Sequence, residues 1–541
     1  MNFLKIRVFT SKIVVKQRIS RQDLPMSRRI LLVSISTLLA VLPVSSASSA
    51  TNPHNHKIVD TFAEGVSGNS EVYAIPDEIV QKIVSNTSDV NYLQTRQYCD
   101  SYTTGACALP TNGVSMRLYL PVCTSASAAL CIEGVEVSDQ NSNGLIAGKN
   151  LGLVDGKTYA GVPATGLPEG AAPSRWQVPG VKHSGGADTY AVKVLIDAFK
   201  TNASKKIWIF SISSIVEPYV ESNVKNVTGD IACTSWKIGD TCAKRVDFAE
   251  KQRIALTLHL PNTLTGWLNG RLKDSKIAVT PIDTEQNKLR VEAEPVTVPE
   301  VNVSLTDEQF NSLPNPSFFI AQGQTWDSVN AGNPIALEWI RQLAGVMKDT
   351  ASGEHSTWAF SSAGNNGGGD CLGDKTRLIG LVTTNAAVYS PGAPDFQDGY
   401  LNYQVGGLHY RSDGKTLTLG TYDLLIRSDA ARCLYQYTSA PLSATVSVTK
   451  ESGGTEVVAT SMLDEKDGWL HLGAYGFTFS RPILKVKLNG TPQQLLSNNN
   501  PKPATTTTSK VKDFTFTCVK GKQVKKITAP KIQCPVGWKK K

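Results

Sequence analysis

The sequence predicts a mainly β protein: tandem β-sandwich-like domains of immunoglobulin-like size, a short helical insert, and a small disulfide-stapled C-terminal hairpin module. Three observations predict it. Runs of alternating apolar and polar residues recur, as in "VSMRLYLPVC", "DTYAVKVLIDAF" and "QRIALTLHLP". Turn-forming residues are plentiful, with 43 Gly and 27 Pro among 541 residues. Ten cysteines fall in neighbouring couples, a pattern that suits disulfides in an exported chain. At one domain per ~150 residues the length suggests three or four domains.

Residues 1–50 read as a secretory signal. "MSRRILLVSISTLLAVLPVSSASSA" (Met26–Ala50) carries Arg28 and Arg29, an apolar run from Ile30 to Leu42, and small residues at Ala47 and Ala50. Met26 is an alternative start. The apolar run is short for a bilayer, and no later run of ~20 apolar residues follows, so no membrane span is expected after cleavage. Residues 51–95 form an N-terminal segment with one short helix, in which Pro76 starts "PDEIVQKIVSN" and Ile79, Ile83 and Val84 share a side.

Residues 96–300 alternate throughout and predict a β-rich domain, with a division into two left open. Residues 301–370 are mixed. Thr306 and Gln309 make a capping box, and a helix is expected over 334–348, capped by Asn333, opened by Pro334 and striped by Ile335, Trp339, Leu343 and Val346. Residues 371–490 hold about seven strand patterns, the count and spacing of a β-sandwich. Residues 491–509, polar with prolines and a threonine run, read as a linker.

Residues 510–541 predict two strands around Lys520–Gln523, with Phe514, Phe516 and Cys518 on one side and Trp538 available to cover them. A hairpin this small is marginal alone, and a bond between Cys518 and Cys534 closes a loop of about 15 residues, worth roughly 3 kcal/mol.

Charge is unevenly spread. Residues 1–29 hold eight Lys/Arg against one Asp, and residues 510–541 hold ten Lys against one Asp, so the net +9 leaves −7 on residues 30–509. An acidic body between basic ends is not the footprint of a nucleic-acid binder. The tail has lysines and no arginine, hence no bidentate fork for bases, and no aromatic is interleaved among Lys520–Lys531. Lys520, Lys522, Lys525, Lys526, Lys531, Lys539, Lys540 and Lys541 are point charges suited to anionic cell-wall polymers or a membrane surface, or to keeping the body soluble.

Neighbouring cysteines pair by proximity as Cys99 with Cys107, Cys123 with Cys131, Cys233 with Cys242 and Cys518 with Cys534, which leaves Cys371 and Cys433. Zinc is disfavoured, because these spacings are wider than zinc pairs use and no histidine adjoins a couple in sequence. Asp139, Asn141, Asn143 and Gly144 match the start of a calcium loop, yet Asn150 stands where a bidentate Glu is needed and only one carboxylate is present, so a polar turn is the preferred reading and no metal is expected. His54 and His56 form an H-x-H near the expected mature end, and the other histidines are scattered singly, with His259, His409 and His471 inside strand patterns. No nucleophile-elbow, zinc-protease or phosphate-loop motif occurs, and no cofactor is implied. Paired carboxylates are the remaining enzymatic route. Asp464, Glu465 and Asp467 precede Trp469, His471, Tyr475, Phe477 and Phe479 at one parity, either a sugar platform or the packed face of a sandwich.

"DKTRLIGLVTTNAAVYSPGAP", "NYQVGGLHY", "GTYDLLIRSDAARCLY" and "EKDGWLHLGAYGFTFSRPILKVKL" resemble a recurrent block of an uncharacterised family of exported bacterial β-rich proteins, and the tail resembles a "TCVKGK…CPxGWKKK" module of such proteins. The resemblance implies architecture and no activity. The expected function is an exported, envelope-associated binding or adhesion protein without catalytic activity, secreted or held at the cell surface. A secreted carbohydrate-active hydrolase and a structural envelope or assembly component are the alternatives.

Overall fold

Strands dominate the computed structural model, which describes most of residues 69–489, the strand His56–Val59 and the strands of the tail. Residues 1–55, 60–68, 81–95, 223–235, 318–333, 363–370 and 490–513, with shorter gaps, lie outside the described residues. The signal, Met26 and the 491–509 linker fall there, as do Asn141, Asn143, Cys233, Asn333, Lys522, Lys531, Cys534 and Lys541.

One 16-stranded sheet runs through the body. Its main path is Thr460–Lys466, Trp469–Thr478, Leu419–Arg427, Leu378–Thr384, Gly266–Arg271, Gly353–Ser362, Trp208–Ser222, Thr189–Lys200, Asn112–Tyr119, Glu71–Pro76 and Gln97–Cys99. It draws strands from both sides of the helical insert. Gly266–Arg271, from the 96–300 region, lies between Gly353–Ser362 and Leu378–Thr384.

A second sheet of five strands (Lys273–Pro281, Gln286–Glu294, Ile254–Pro261, Cys131–Ser138, Leu145–Ala147) shares a core with the long sheet. There Leu256, Leu258, Leu289 and Val291 meet Val192, Val194, Ile196 and Trp358. A six-stranded sheet that includes Tyr400–Gly406, Ile483–Asn489 and Ser443–Thr449 shares a different core with the long sheet. In that core Leu401, Tyr403 and Val486 meet Tyr422, Leu424, Ile426 and Leu472.

The two cores lie on opposite faces. Successive strand residues point to opposite sides, and Trp267 belongs to the second core while Leu268 belongs to the first. Gly266–Arg271 and Leu378–Thr384 are consequently buried at every position. They also form a parallel pair, the arrangement that favours cover on both faces. Arg271 sits in this centre at 1% exposure. Its guanidinium donates to the carbonyls of Thr384, Ala386 and Ala387 and lies 4.7 Å from the Tyr389 ring centroid.

The helix Pro334–Val346 seals the second core with Ala336, Trp339, Ile340, Leu343 and Ala344, at helical spacing. Thr306 and Gln309 close a capping box on the five-residue helix Asp307–Asn311. Two local expectations change. Pro76 ends the strand Glu71–Pro76 instead of opening a helix, and Asp77 is the first helical residue. Ser428–Tyr435 is a helix inside the expected all-strand region. Its signal was a serine, an acid in the first turn and two alanines.

Candidate functional site

The acidic segment before Trp469 comes apart in three dimensions. A register shift between Gly420 and Thr421, opposite Gly476 at φ 82°, changes the parity of the strand Trp469–Thr478. Phe477 and Phe479 therefore join Leu470 and Leu472 in the second core, whereas Trp469 belongs to the first. The single aromatic face expected from sequence is split. Glu465 pairs with Arg432 at 2.5 Å, and Asp467 occupies the turn at φ 51°. Asp464, with 57% of its side chain exposed, has Oδ1 3.7 Å from His471 Nδ1.

His471 leads to a closed polar set. Its Nε2 lies 2.9 Å from Asp423 Oδ1, the Tyr475 hydroxyl donates to the same oxygen at 2.7 Å, and the Asp274 amide donates to Asp423 Oδ2 at 3.3 Å. Burial raises the Asp423 carboxyl pKa, against the opposing pull of His471 and Tyr475. Burial, with Asp423 beside it, raises that of the Tyr475 phenol. Asp274 belongs to the five-stranded sheet and Asp423 to the long sheet, so the set ties one to the other. Asp423 is fully buried and His471 is 8% exposed, with the exposed Asp464 on the Nδ1 side of the ring.

The other sequence candidates are placed as follows. Asp139 starts the connection between Cys131–Ser138 and Leu145–Ala147, which pair as a hairpin. Among the described residues it joins no cluster of His, Cys, Asp or Glu close enough to share an ion. His409 Nδ1 lies 2.8 Å from the Phe479 carbonyl, and His183 Nε2 3.0 Å from that of Tyr219, with burial lowering the His183 pKa.

Cys99 is bonded to Cys107, Cys123 to Cys131 and Cys371 to Cys433. Cys242 and Cys518 are also disulfide-bonded, with partners outside the described residues. Among the described residues no cysteine is free. His259, 128 residues beyond Cys131 in the chain, is brought against the Cys123–Cys131 pair by strand pairing, His259 opposite Cys131.

The tail forms a three-stranded sheet with Phe514–Lys520 central, flanked by Gln523–Ala529 and Lys539–Lys540. Cys518 is fully buried, opposite Lys525 and Lys540 in register. Val519 is opposite Val524 and Lys539, and Thr517 opposite Lys526. Cross-strand partners share a face, so lysines stand on both faces. Lys520, Lys525, Lys526 and Lys539 are exposed, and Val524 is 64% exposed between them.

Sequence reasoning missed three places. A cavity of about 330 Å³ is lined by Ala129, Leu130, Leu167, Ile207, Pro261 and Gln286 among others. A second, of about 400 Å³, shares Leu167 and includes Lys200, whose buried amine donates to the Thr201 carbonyl and has its pKa lowered by burial. At the sheet edge Gln97–Cys99, the Lys157 amine lies 4.1 Å from the ring centroid of half-exposed Tyr98 and 2.6 Å from Asp100. All three depend on residues far apart in the chain, and no local pattern marks them.

Among the described residues no helix is long and apolar enough to cross a membrane. Comparison of the chain with known protein families, with characterised proteins and with solved structures finds no match.

Proposed function

We propose that this is an exported, non-catalytic binding or adhesion protein whose basic tail holds it at anionic polymers of the cell surface. The observation that carries the reading is the tail sheet, which displays exposed lysines on both faces around a buried cysteine. An ammonium on a long stem attracts diffuse negative charge without demanding one geometry, which suits polymers and lipid head groups. The signal read from Met26–Ala50 and the disulfide-bonded cysteines support export. In this reading the two covered regions of the long sheet serve as tandem sandwich-like modules of immunoglobulin-like size, and present the ligand-binding surface.

The test is binding of the full chain to phosphatidylglycerol vesicles and to poly(glycerol phosphate) as salt is raised. Replacing Lys520, Lys525, Lys526 and Lys539 by Gln should weaken binding by about fivefold per lysine at low salt, and high salt should abolish it in both proteins. Equal binding by the two proteins would sink the tethering role.

A further inference from the structure

We propose that Cys123–Cys131 is a site of thiol–disulfide exchange, with His259 stabilising the sulfur that leaves. The bond is asymmetrically exposed. Cys123 is half-buried and Cys131 is 1% exposed, so an incoming thiolate reaches Cys123 first. The ligating atoms of Cys123, Cys131 and His259 all lie within 4.8 Å of one another. Among the described residues neither Cys99–Cys107 nor Cys371–Cys433 makes such a cluster.

The hydrogen bonds define what the ring can donate to. His259 Nδ1 is 2.8 Å from the Ala128 carbonyl oxygen, and Nε2 is 2.8 Å from Glu133 Oε2. Both partners are acceptors, so a protonated ring can donate from both nitrogens and the site accommodates an imidazolium. Cys131 Sγ lies 3.3 Å from the same Ala128 oxygen, which brings sulfur and ring together at one carbonyl. Lys288, opposite His259 in the next strand, is 2.7 Å from Glu133. The charged groups facing His259 from the flanking strands are Glu133 and Lys288, with Glu136 and Arg290 paired to each other one step along. Among the described residues Glu133 is the anion beside the ring and is shared with Lys288, so with the ring protonated the cluster at the sulfur is net positive.

The step balances with a dithiol as reductant. Its thiolate attacks Cys123 Sγ, the Cys123–Cys131 bond breaks, and the electron pair goes to Cys131 Sγ, which takes a proton from His259. The second thiol of the reductant then attacks the mixed disulfide. Cys123 leaves as a thiol and the dithiol becomes a disulfide. A neighbouring cation lowers a thiol's pKa, and a more acidic thiol leaves faster. The loop closed by this bond carries Ala129 and Leu130, the latter held at φ 52°, and both line the 330 Å³ cavity, so exchange releases part of that wall.

The experiment is timed reduction of the intact full chain by limiting dithiothreitol, with alkylation and peptide mass spectrometry. Cys123–Cys131 should open faster than the buried Cys99–Cys107. His259→Gln, which removes the cation and keeps the size, should slow Cys123–Cys131 on the order of tenfold and leave the more exposed Cys371–Cys433 unchanged. A wild-type rate in His259→Gln overturns the proposal. Should that variant not fold, the wild-type rate ratio of Cys123–Cys131 to Cys371–Cys433 decides, because the reductant's own ionisation cancels. The ratio should exceed one although Cys371–Cys433 is the more exposed bond, and a ratio below one refutes the role of His259.

Discussion

The two covers of the long sheet are held in different ways. The five-stranded cover has an apolar core and, at its rim, a ladder of charges. Arg253 reaches Asp274 at 2.5 Å, Glu292 at 3.3 Å and Glu294 at 3.6 Å, while Lys276 reaches Glu292 at 3.0 Å. The six-stranded cover also has an apolar core, sealed by the helix Pro334–Val346, and beside it stands one buried cation, Arg271, bonded to carbonyls. Charges that water can reach respond to salt and pH, whereas a buried cation held on carbonyls is screened far less. The five-stranded cover is thus laced internally by a condition-sensitive ladder, whereas the buried cation on the other side sits on carbonyls of the long sheet and the turn that leaves it.

The largest break in that comparison comes from Trp267, which is 1% exposed and packs so closely over Gly380 that a Cβ there would meet its ring at 2.2 Å. Trp267→Ala should cost about 3–5 kcal/mol in urea unfolding, and should first lower amide protection in Tyr400–Gly406 and Leu378–Thr384. Next come two arginines compared directly. Arg271→Met leaves buried carbonyls unsatisfied and should cost about 3 kcal/mol at every salt concentration. Arg253→Met should cost about 1–2 kcal/mol at low salt and less at high salt. Equal salt dependence in the two variants would erase the contrast between the covers.

The smallest effect is acid sensitivity. Burial pushes the Glu292 carboxyl up, but the hydrogen bond and charge of Lys276, together with Arg253, outweigh it and hold the pKa below the usual value. Glu133 is held low in the same way by Lys288 and His259. A depressed folded-state pKa contributes stability above the unfolded value of about 4.3, and that contribution is lost as pH falls through the folded value. Hydrogen exchange should therefore show Ile254–Pro261 and Gln286–Glu294 losing protection below about pH 4.3 before Tyr400–Gly406 does. Simultaneous loss would mean the carboxylates do not set the order.

Much of this was legible in particular residues. Val192, Val194 and Ile196 take every second position of a strand in which Lys193 and Asp197 are partly exposed, and Trp339, Ile340 and Leu343 recur at helical spacing, so strand and helix could be read locally. Other features were not. The parity of Trp469–Phe479 reads as continuous because a bulge at Gly476 leaves no gap in the sequence. Ser428–Tyr435 is short, and its helical signal competes with strand patterns on both sides. His259 reads as one more strand histidine until the Cys131–Ser138 strand is laid beside it.

The sequence by itself determined strand content, the helix after Pro334, the nearness of most cysteine couples and the basic tail, because each rests on residues within one strand, one turn or one short loop. Only the tertiary structure decided that Gly266–Arg271 lies parallel to Leu378–Thr384, that two covers occupy opposite faces of one sheet, and that a histidine stands over a disulfide. The physical reason is that a period of two residues tells which side of a strand is apolar and nothing about which strand lies beside it. That choice is made by burial summed over the whole sheet, and here it buried both faces of the strands at its centre.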